Sequence, residues 1–394
     1  MIRGRKSILR CAGRLFGRKN AISAVAENQP TKNRMYDWHI FEDYRRKLLT
    51  IIREGMVFDF KEMALSIFRL QYEALPAYRR FCNKRRVYDS LGIWELIPPM
   101  PTTAFKELPL TALPEDIITT VFESSGTTGQ KPSRHFHCED SLTAYEASCL
   151  NWFQQHVLPP LDGHRYIILT PAAEDAPHSS LVHMFDTIER VVGAATSEFV
   201  GVAKDGGWHI DHDRVIDLLV DAARFDRTVT LLGTAFSFVH LLDECKKRDK
   251  TFQLAPGSRV METGGYKGKS RTMPKDELHK AITETLGIQP QWIVCEYGMS
   301  ELSSQAYDHV AGSEEYRVFR FPPWARTRVV SAETGNEVKL GETGLLQVFD
   351  LANVYSMMAV QTEDRVKRLE DGFELVGRVN GAEPRGCSLM PSDS

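Results

Sequence analysis

Hydrophobic residues fall into two rhythms along this chain, and the change between them divides it. From Met35 the apolar positions recur at three to four residues, through Phe41, Tyr44, Leu48 and Ile52. Positions so spaced share one helix face, so a helix is predicted. A second helix is expected to open at Asp59, with Glu62 three residues on completing a capping box. It runs through Met63, Ile67 and Leu70 and stops at Pro76. The proline-rich stretch from Ile97 to Pro109 reads as an irregular connector. Strands and helices then alternate. Tyr166–Thr170, Thr228–Leu232 and Trp292–Cys295 read as strands, the first ended by Pro171. Arg214–Phe225, Ala235–Lys247 and Pro274–Leu286 read as helices, the last with proline near its first turn and Gly287 as its cap. Such alternation predicts an α/β sheet covered by helices. Beyond Pro322 the segments shorten to Arg326–Val330, Gly344–Asp350 and Phe373–Val376, parted by Gly and Asn turns. These predict a smaller antiparallel or barrel-like part.

Composition narrows the class. The 394 residues are 42% hydrophobic and 26% charged, enough for one large domain or two to three subdomains. A net charge of −3 carries no nucleic-acid footprint. No apolar run reaches the ~18 residues of a membrane span. The seven cysteines are odd in number and form no C-x-x-C pair, which points to a reducing, cytoplasmic setting and away from disulfides or a zinc cluster. Residues 1–34 stand apart, with nine Lys/Arg, Glu27 as their one acid, and a weak apolar stripe of Ile8, Leu9, Leu15 and Phe16. A disordered tail, a membrane-surface or targeting segment, and residues from an early start codon are all compatible. Low apolar content and the lack of an h-region favour disorder. A basic tail over 1–34 is therefore expected ahead of the rest of the chain.

Candidate chemistry concentrates in four places. The first is Glu123-Ser124-Ser125-Gly126-Thr127-Thr128-Gly129-Gln130-Lys131. Glycine permits close backbone approach, so such a run can wrap N–H groups and hydroxyls around phosphate oxygens. The Walker spacing is missing, and a flexible turn explains the same composition. The second is Glu296-Tyr297-Gly298-Met299-Ser300-Glu301, directly after a predicted strand. Loops at strand C-termini bind ligands in α/β sheets; an aromatic there can stack on a base and a carboxylate can hold Mg²⁺. A strand-end loop with a surface glutamate is the plain alternative. The third is Gln361-Thr362-Glu363-Asp364, placed between predicted strands, where Asp364 can accept from two ribose hydroxyls or simply sit in a solvated turn. The fourth is Gly377-Arg378, whose arginine can reach a phosphate, act in a hinge, or be a surface cation. His178 and His183 look like parts of a pocket wall, and Cys295 like a buried strand residue.

In that order, these four segments resemble the motifs of the adenylate-forming superfamily: its phosphate loop S/T-S-G-T-T-G, its Y-G-x-T-E, its T-G-D and its G-R hinge. Ser300 for threonine is a mild departure and Glu363 for glycine a larger one. A narrower resemblance, from about Met35 onward, is to the LuxE-type acyl-protein synthetases. Its matches are Ile97-Pro98-Pro99-Met100-Pro101 leading to Phe105-Lys106, His178-Ser179-Ser180-Leu181-Val182-His183-Met184, Thr263-Gly264-Gly265-Tyr266-Lys267-Gly268 and Arg385-Gly386-Cys387-Ser388-Leu389. The resemblance implies an acetyl-CoA-synthetase-like large α/β domain with a small β-rich subdomain over 35–376, then a hinge and short end segment over 377–394, lacking the usual full C-terminal domain.

It also implies ATP and Mg²⁺ as cofactors and a fatty or related carboxylic acid as substrate. Ser124, Ser125, Gly126, Thr127, Thr128 and Gly129 would hold the β/γ-phosphates, with Lys131 an added cation. Glu301 would hold Mg²⁺, Tyr297 within Glu296–Ser300 would stack on adenine, Asp364 would hold the ribose, and Arg378 would serve the hinge. Lys267 would neutralise the carboxylate or α-phosphate. Only sixteen residues follow Arg378, and among them Cys387 is implied as acyl acceptor, with a thioester reductase as partner. Two other readings stay open: a ligase that passes the acyl group to CoA or a carrier protein, with Cys387 incidental, and a non-catalytic adenylate-binding scaffold.

Overall fold

The computed structural model describes residues 39–124, 131–158, 164–193, 195–204, 207–264 and 273–378. Helix α1 (His39–Glu54) buries Phe41, Leu48 and Ile52 of the predicted stripe and leaves Tyr44 half-buried. Helix α2 (Phe60–Ala74) starts where predicted, with the Asp59 carboxylate accepting from the Glu62 amide. Pro76 not only ends α2 but opens α3 (Pro76–Lys84), the position where proline's missing N–H costs nothing. The proline-rich connector is more ordered than expected. It contributes strand β1 (Met100–Pro101) and the short helix α4 (Ala104–Glu107).

A β-hairpin of β2 (Thr120–Glu123) and β3 (Arg134–His137) follows, then the long helix α5 (Glu139–His156). The alternating region comprises β4 (Arg165–Ile168), α6 (Ser180–Val192), β5 (Glu198–Phe199), the hairpin β6 (Gly201–Lys204) and β7 (Gly207–Ile210), and α7 (His212–Arg224). It continues with β8 (Val229–Thr234), α8 (Ala235–Lys247), β9 (Arg259–Thr263), α9 (Lys275–Leu286) and β10 (Ile293–Tyr297). Gly287 caps α9 at φ +75, as its sequence position suggests. The remaining strands are β11 (Ala306–Tyr307), β12 (Ala325–Val330), β13 (Thr343–Asp350), β14 (Ala359–Leu369) and β15 (Gly372–Arg378).

Two main sheets result. The first runs β11-β10-β9-β8-β4-β5, parallel except for β11. Its central strands are buried on both faces, as helix-covered parallel strands must be. Val294, Met261, Leu232 and Ile168 face a layer with Tyr145 and Phe153 of α5 and Met184 and Phe185 of α6. Ile293, Val260 and Leu231 face the opposite layer, with Leu218 of α7, Phe238 and Leu241 of α8 and Leu278 and Ile282 of α9. The second sheet, β1-β14-β13-β12 with β15 on β14, is antiparallel except for β1. Its β14 was expected to be a turn. Instead Gln361–Asp364 lies inside an eleven-residue strand whose first half pairs with β1 and whose second half pairs with β15. The described residues all fall within one compact unit.

Candidate functional site

Parallel strands carry their loops to one edge of the sheet, and β9 and β10 end there at Thr263 and Tyr297. The Thr263 hydroxyl donates to the Glu296 carboxylate across that edge. Glu296 is 5% exposed. Burial pushes its pKa up to about 7, helped by the charge of Glu262 and opposed by the Thr263 hydrogen bond. Gly298 is required by this arrangement: a Cβ there would lie 2.3 Å from Glu296 Oε1.

The same loop leads to Glu301, which is fully buried. Ser300 Oγ donates to Glu301 Oε2 at 3.3 Å. The Asn353 side-chain amide donates to the Glu301 carbonyl at 2.8 Å. His135 Nδ1 lies 2.9 Å from the Ser300 carbonyl oxygen, so the hairpin strand β3 touches this loop directly.

The second sheet meets the loop through charge. Tyr297 Oη donates to Asp364 Oδ2 at 2.8 Å, and Phe319, Phe321 and Phe373 pack edge-on around the tyrosine ring. Arg378 stands opposite Asp364 in the β14–β15 register. Its Nε pairs with Asp364 Oδ1 at 3.0 Å and its Nη2 with Glu363 Oε2 at 2.9 Å. Glu363, the departure from T-G-D, thus has a local role that glycine cannot fill: it shares the arginine with Asp364.

The β2–β3 hairpin flanks the glycine-rich run, whose residues 125–130 lie outside the described ones. Its neck is closed by the Ser124 amide donating to Ser133 O at 3.0 Å and the Ser133 amide donating to Ser124 Oγ at 2.9 Å. His178 fastens β2 from outside, its carbonyl accepting from the Glu123 amide and its ring donating to the Val121 carbonyl, each at 2.9 Å. His183 instead pairs with Glu146 at 3.1 Å. Lys131 Nζ lies 3.4 Å from Glu107 on an exposed surface. Cys295 is buried and its thiol pKa is pushed well up, in keeping with a strand residue.

Thus Glu296, Tyr297, Gly298, Ser300, Glu301, Asp364 and Arg378 converge, with the neck at Ser124 joined to them through His135. Ser125, Gly126, Thr127, Thr128, Gly129, Lys267 and Cys387 lie outside the described residues. Sequence reasoning missed His135 and Asn353. For His135 a signal existed, since it alternates with His137 on one strand face; Asn353 gave none.

Among the described residues no cluster of three metal-binding side chains occurs. Magnesium does not need one, because it is held by one or two carboxylates together with substrate phosphates. A buried carboxylate with a neighbouring hydroxyl, Glu301 with Ser300, supplies hard oxygen donors that fit it. No helix among the described residues is long and apolar enough to cross a membrane.

Comparison with known proteins gives the family and the fold. A family model described as acyl-protein synthetase, LuxE, matches residues 53–394. The long-chain-fatty-acid–luciferin-component ligase of Vibrio harveyi is 22% identical over 338 residues, 83% of this chain and 85% of that protein. Its Aliivibrio fischeri counterpart is 24% identical over 336 residues, 82% of this chain and 85% of that protein. Among solved structures, 2-hydroxyisobutyryl-CoA ligase in its postadenylation state with 2-HIB-AMP superposes at TM-score 0.60 and 14% identity, covering 90% of this chain and 73% of that one. Its open conformation with 2-HIB-AMP and CoA gives 0.58 and 16%, covering 80% and 74%. The fold is that of the adenylate-forming ligases.

Proposed function

The chain belongs to the LuxE acyl-protein synthetase family, and from that we propose that it activates a fatty acid with ATP and carries the acyl group on its own Cys387. The observation that carries the reading is the meeting of Tyr297, Asp364 and Arg378 at the end of β10, four residues before Glu301. These residues come from two sheets and are 67 positions apart between Tyr297 and Asp364, yet they share one hydrogen-bonded polar cluster, which supports a nucleotide site there.

A carboxylate is a poor electrophile, so the acid must first be given a good leaving group. One of its oxygens attacks the α-phosphorus of ATP. The bond from that phosphorus to the bridging oxygen breaks and pyrophosphate leaves. Such phosphoryl chemistry depends on alignment and charge neutralisation more than on covalent help. The hairpin loop from Ser124 to Gly129 would cradle the β- and γ-phosphates, with Lys131 and Lys267 as added cations. Asp364 would exchange its Tyr297 and Arg378 partners for the ribose hydroxyls. Glu301 would hold Mg²⁺, which when bound neutralises phosphate charge. In the second half-reaction the Cys387 thiolate attacks the acyl carbon and AMP departs, leaving a thioester. Splitting the transfer in two is the usual advantage of a covalent intermediate. Relatives named for long-chain fatty acids support that substrate class, and an acyl-thioester reductase is the partner that would consume the product.

Intact mass spectrometry tests this on wild type and Cys387→Ser after incubation with ATP, Mg²⁺ and C2–C18 acids. The expected result is an ATP-dependent, hydroxylamine-labile acyl adduct on wild type alone. Acid-dependent pyrophosphate release from both proteins without an adduct would remove Cys387 and leave a soluble acceptor such as CoA. Neither adduct nor pyrophosphate would overturn the enzymatic reading.

A further inference from the structure

We propose that His135 and Asn353 are positioning residues that together set the orientation of the Glu301 carboxylate, an inference that rests on the reading of Glu301 as the carboxylate on the Mg²⁺ side of the nucleotide. Neither belongs to the motifs that carried the family resemblance. They come from different elements, β3 and the loop after β13, and are 2% and 1% exposed.

The backbone has two soft dihedrals per residue because each peptide unit is planar. Fixing the planes on both sides of a residue therefore fixes its Cα–Cβ direction. The plane before Glu301 contains the Ser300 carbonyl, held by His135 Nδ1 at 2.9 Å. The plane after it contains the Glu301 carbonyl, held by Asn353 Nδ2 at 2.8 Å. A carbonyl oxygen only accepts, so His135 carries its proton on Nδ1. The Asn353 amide is oriented as well: its Oδ1 accepts from Ser303 Oγ at 2.7 Å, and Nδ2 also donates to the Met357 carbonyl at 2.9 Å. The following turn is pinned by Asp350, which accepts from the Ser303 and Ser304 amides at 2.9 and 2.8 Å.

A histidine is a costly way to fill a strand position. Its nitrogens lose water, and a β-branched residue would pack there without that penalty. The one described hydrogen bond that this burial secures is the one to Ser300, the residue before Glu301. Binding a hard cation beside phosphates requires its ligand within about 0.5 Å of the productive place, which the two clamps supply from outside the loop.

The test compares His135→Asn with His135→Gln on the full chain. Asparagine offers an N–H donor at the δ position, where the histidine has one, and glutamine offers it at the ε position. ATP affinity is measured calorimetrically in Mg²⁺ and in EDTA, with melting temperature as the control for folding. Wild type and His135→Asn are expected to keep the Mg²⁺-dependent gain in affinity within about threefold of each other. His135→Gln and Asn353→Asp should lose about tenfold of that gain, roughly one hydrogen bond, while affinity in EDTA stays within about twofold. Equal gains in His135→Asn and His135→Gln would overturn the proposal alone, as would equal losses in EDTA and in Mg²⁺. Absence of any Mg²⁺-dependent gain in the wild type would overturn the reading of Glu301 itself, and the clamp with it.

Discussion

Two buried carboxylates sit at the same edge of the central sheet and are treated in opposite ways. Asp308, just past β11, is on the α9 side, 1% exposed. It accepts from the Cys295 amide at 2.8 Å, His309 at 2.9 Å, Lys275 at 2.9 Å and Arg317 at 2.7 Å. Burial would raise its pKa, but the His309 hydrogen bond and the Lys275 and Arg317 charges outweigh that and hold it well below the usual range. Glu296, on β10, is on the α5 side, where its charge acts on Cys149. Among the described residues it has the Thr263 hydroxyl and no cation, so it sits near neutrality in its titration. One side of the edge has its charge balanced within the fold. The other leaves a carboxylate without a cationic partner among the described residues, at the strand end where we propose that the nucleotide binds.

The contrast is broken most severely on the balanced side. Asp308→Asn leaves Lys275 and Arg317 without their shared anion. Removing one partner of a buried ion pair costs about 3–5 kcal/mol, read as a loss of that size in urea unfolding at pH 7. A change below ~1 kcal/mol would mean that Asp308 contributes packing alone. The sign of its pH dependence follows from the depressed pKa. The stabilisation is complete above the ordinary aspartate value of 3.8 and is lost as pH falls below it.

Glu296 predicts the reverse slope. Its folded pKa of about 7 lies above the ordinary 4.5, so between these values the folded state binds more protons than the unfolded one. Stability then falls as pH rises from about 4.5 to about 7 and stays reduced above that. Glu296→Gln keeps an acceptor for Thr263 and removes the charge. It should match wild type near pH 4.5 and exceed it above pH 7, by on the order of 3 kcal/mol. Thermal melts across pH 4–8 check this; parallel curves for the two proteins would refute it. Gaining stability by removing Glu296 would be the trade expected if it serves the proposed site.

Both sides of this edge were only partly legible in the sequence. The strand of Trp292–Cys295 and the helices around it were visible because long apolar repeats survive in them. The motif residues were visible because their types are chemically specific. Helix α5 was not: its buried face includes Ser141, Ala144, Ser148 and Cys149, too small and polar to mark a stripe. Strand β14 was not, because Gln361, Thr362, Glu363 and Asp364 look like a turn. They are strand residues whose polar side chains are satisfied by Gln347, the Leu346 carbonyl, Arg378 and Tyr297. Asp308 was invisible for a similar reason. Its partners lie 33 residues before it and 9 after it, and no local pattern announces them.

The finest adjustment of the contrast is at Thr263, which separates burial from hydrogen bonding as causes of the Glu296 shift. Thr263→Val keeps the β-branched shape of the strand end and deletes the hydroxyl that donates to the carboxylate. That hydrogen bond favours the charged form, so its loss should move the Glu296 titration further up, by about one unit, or ~1.4 kcal/mol. Valine should therefore cost little near pH 5, where Glu296 is protonated in either protein, and about 1–2 kcal/mol at pH 8, where a buried carboxylate has lost its donor. Carrying both changes, Thr263→Val with Glu296→Gln, isolates the term: the pH-dependent part of the valine penalty must vanish once no charge remains to be solvated. If the penalty in the double variant still grows with pH, then Glu296 is not the carboxylate that the Thr263 hydroxyl serves, and this account of its shift fails.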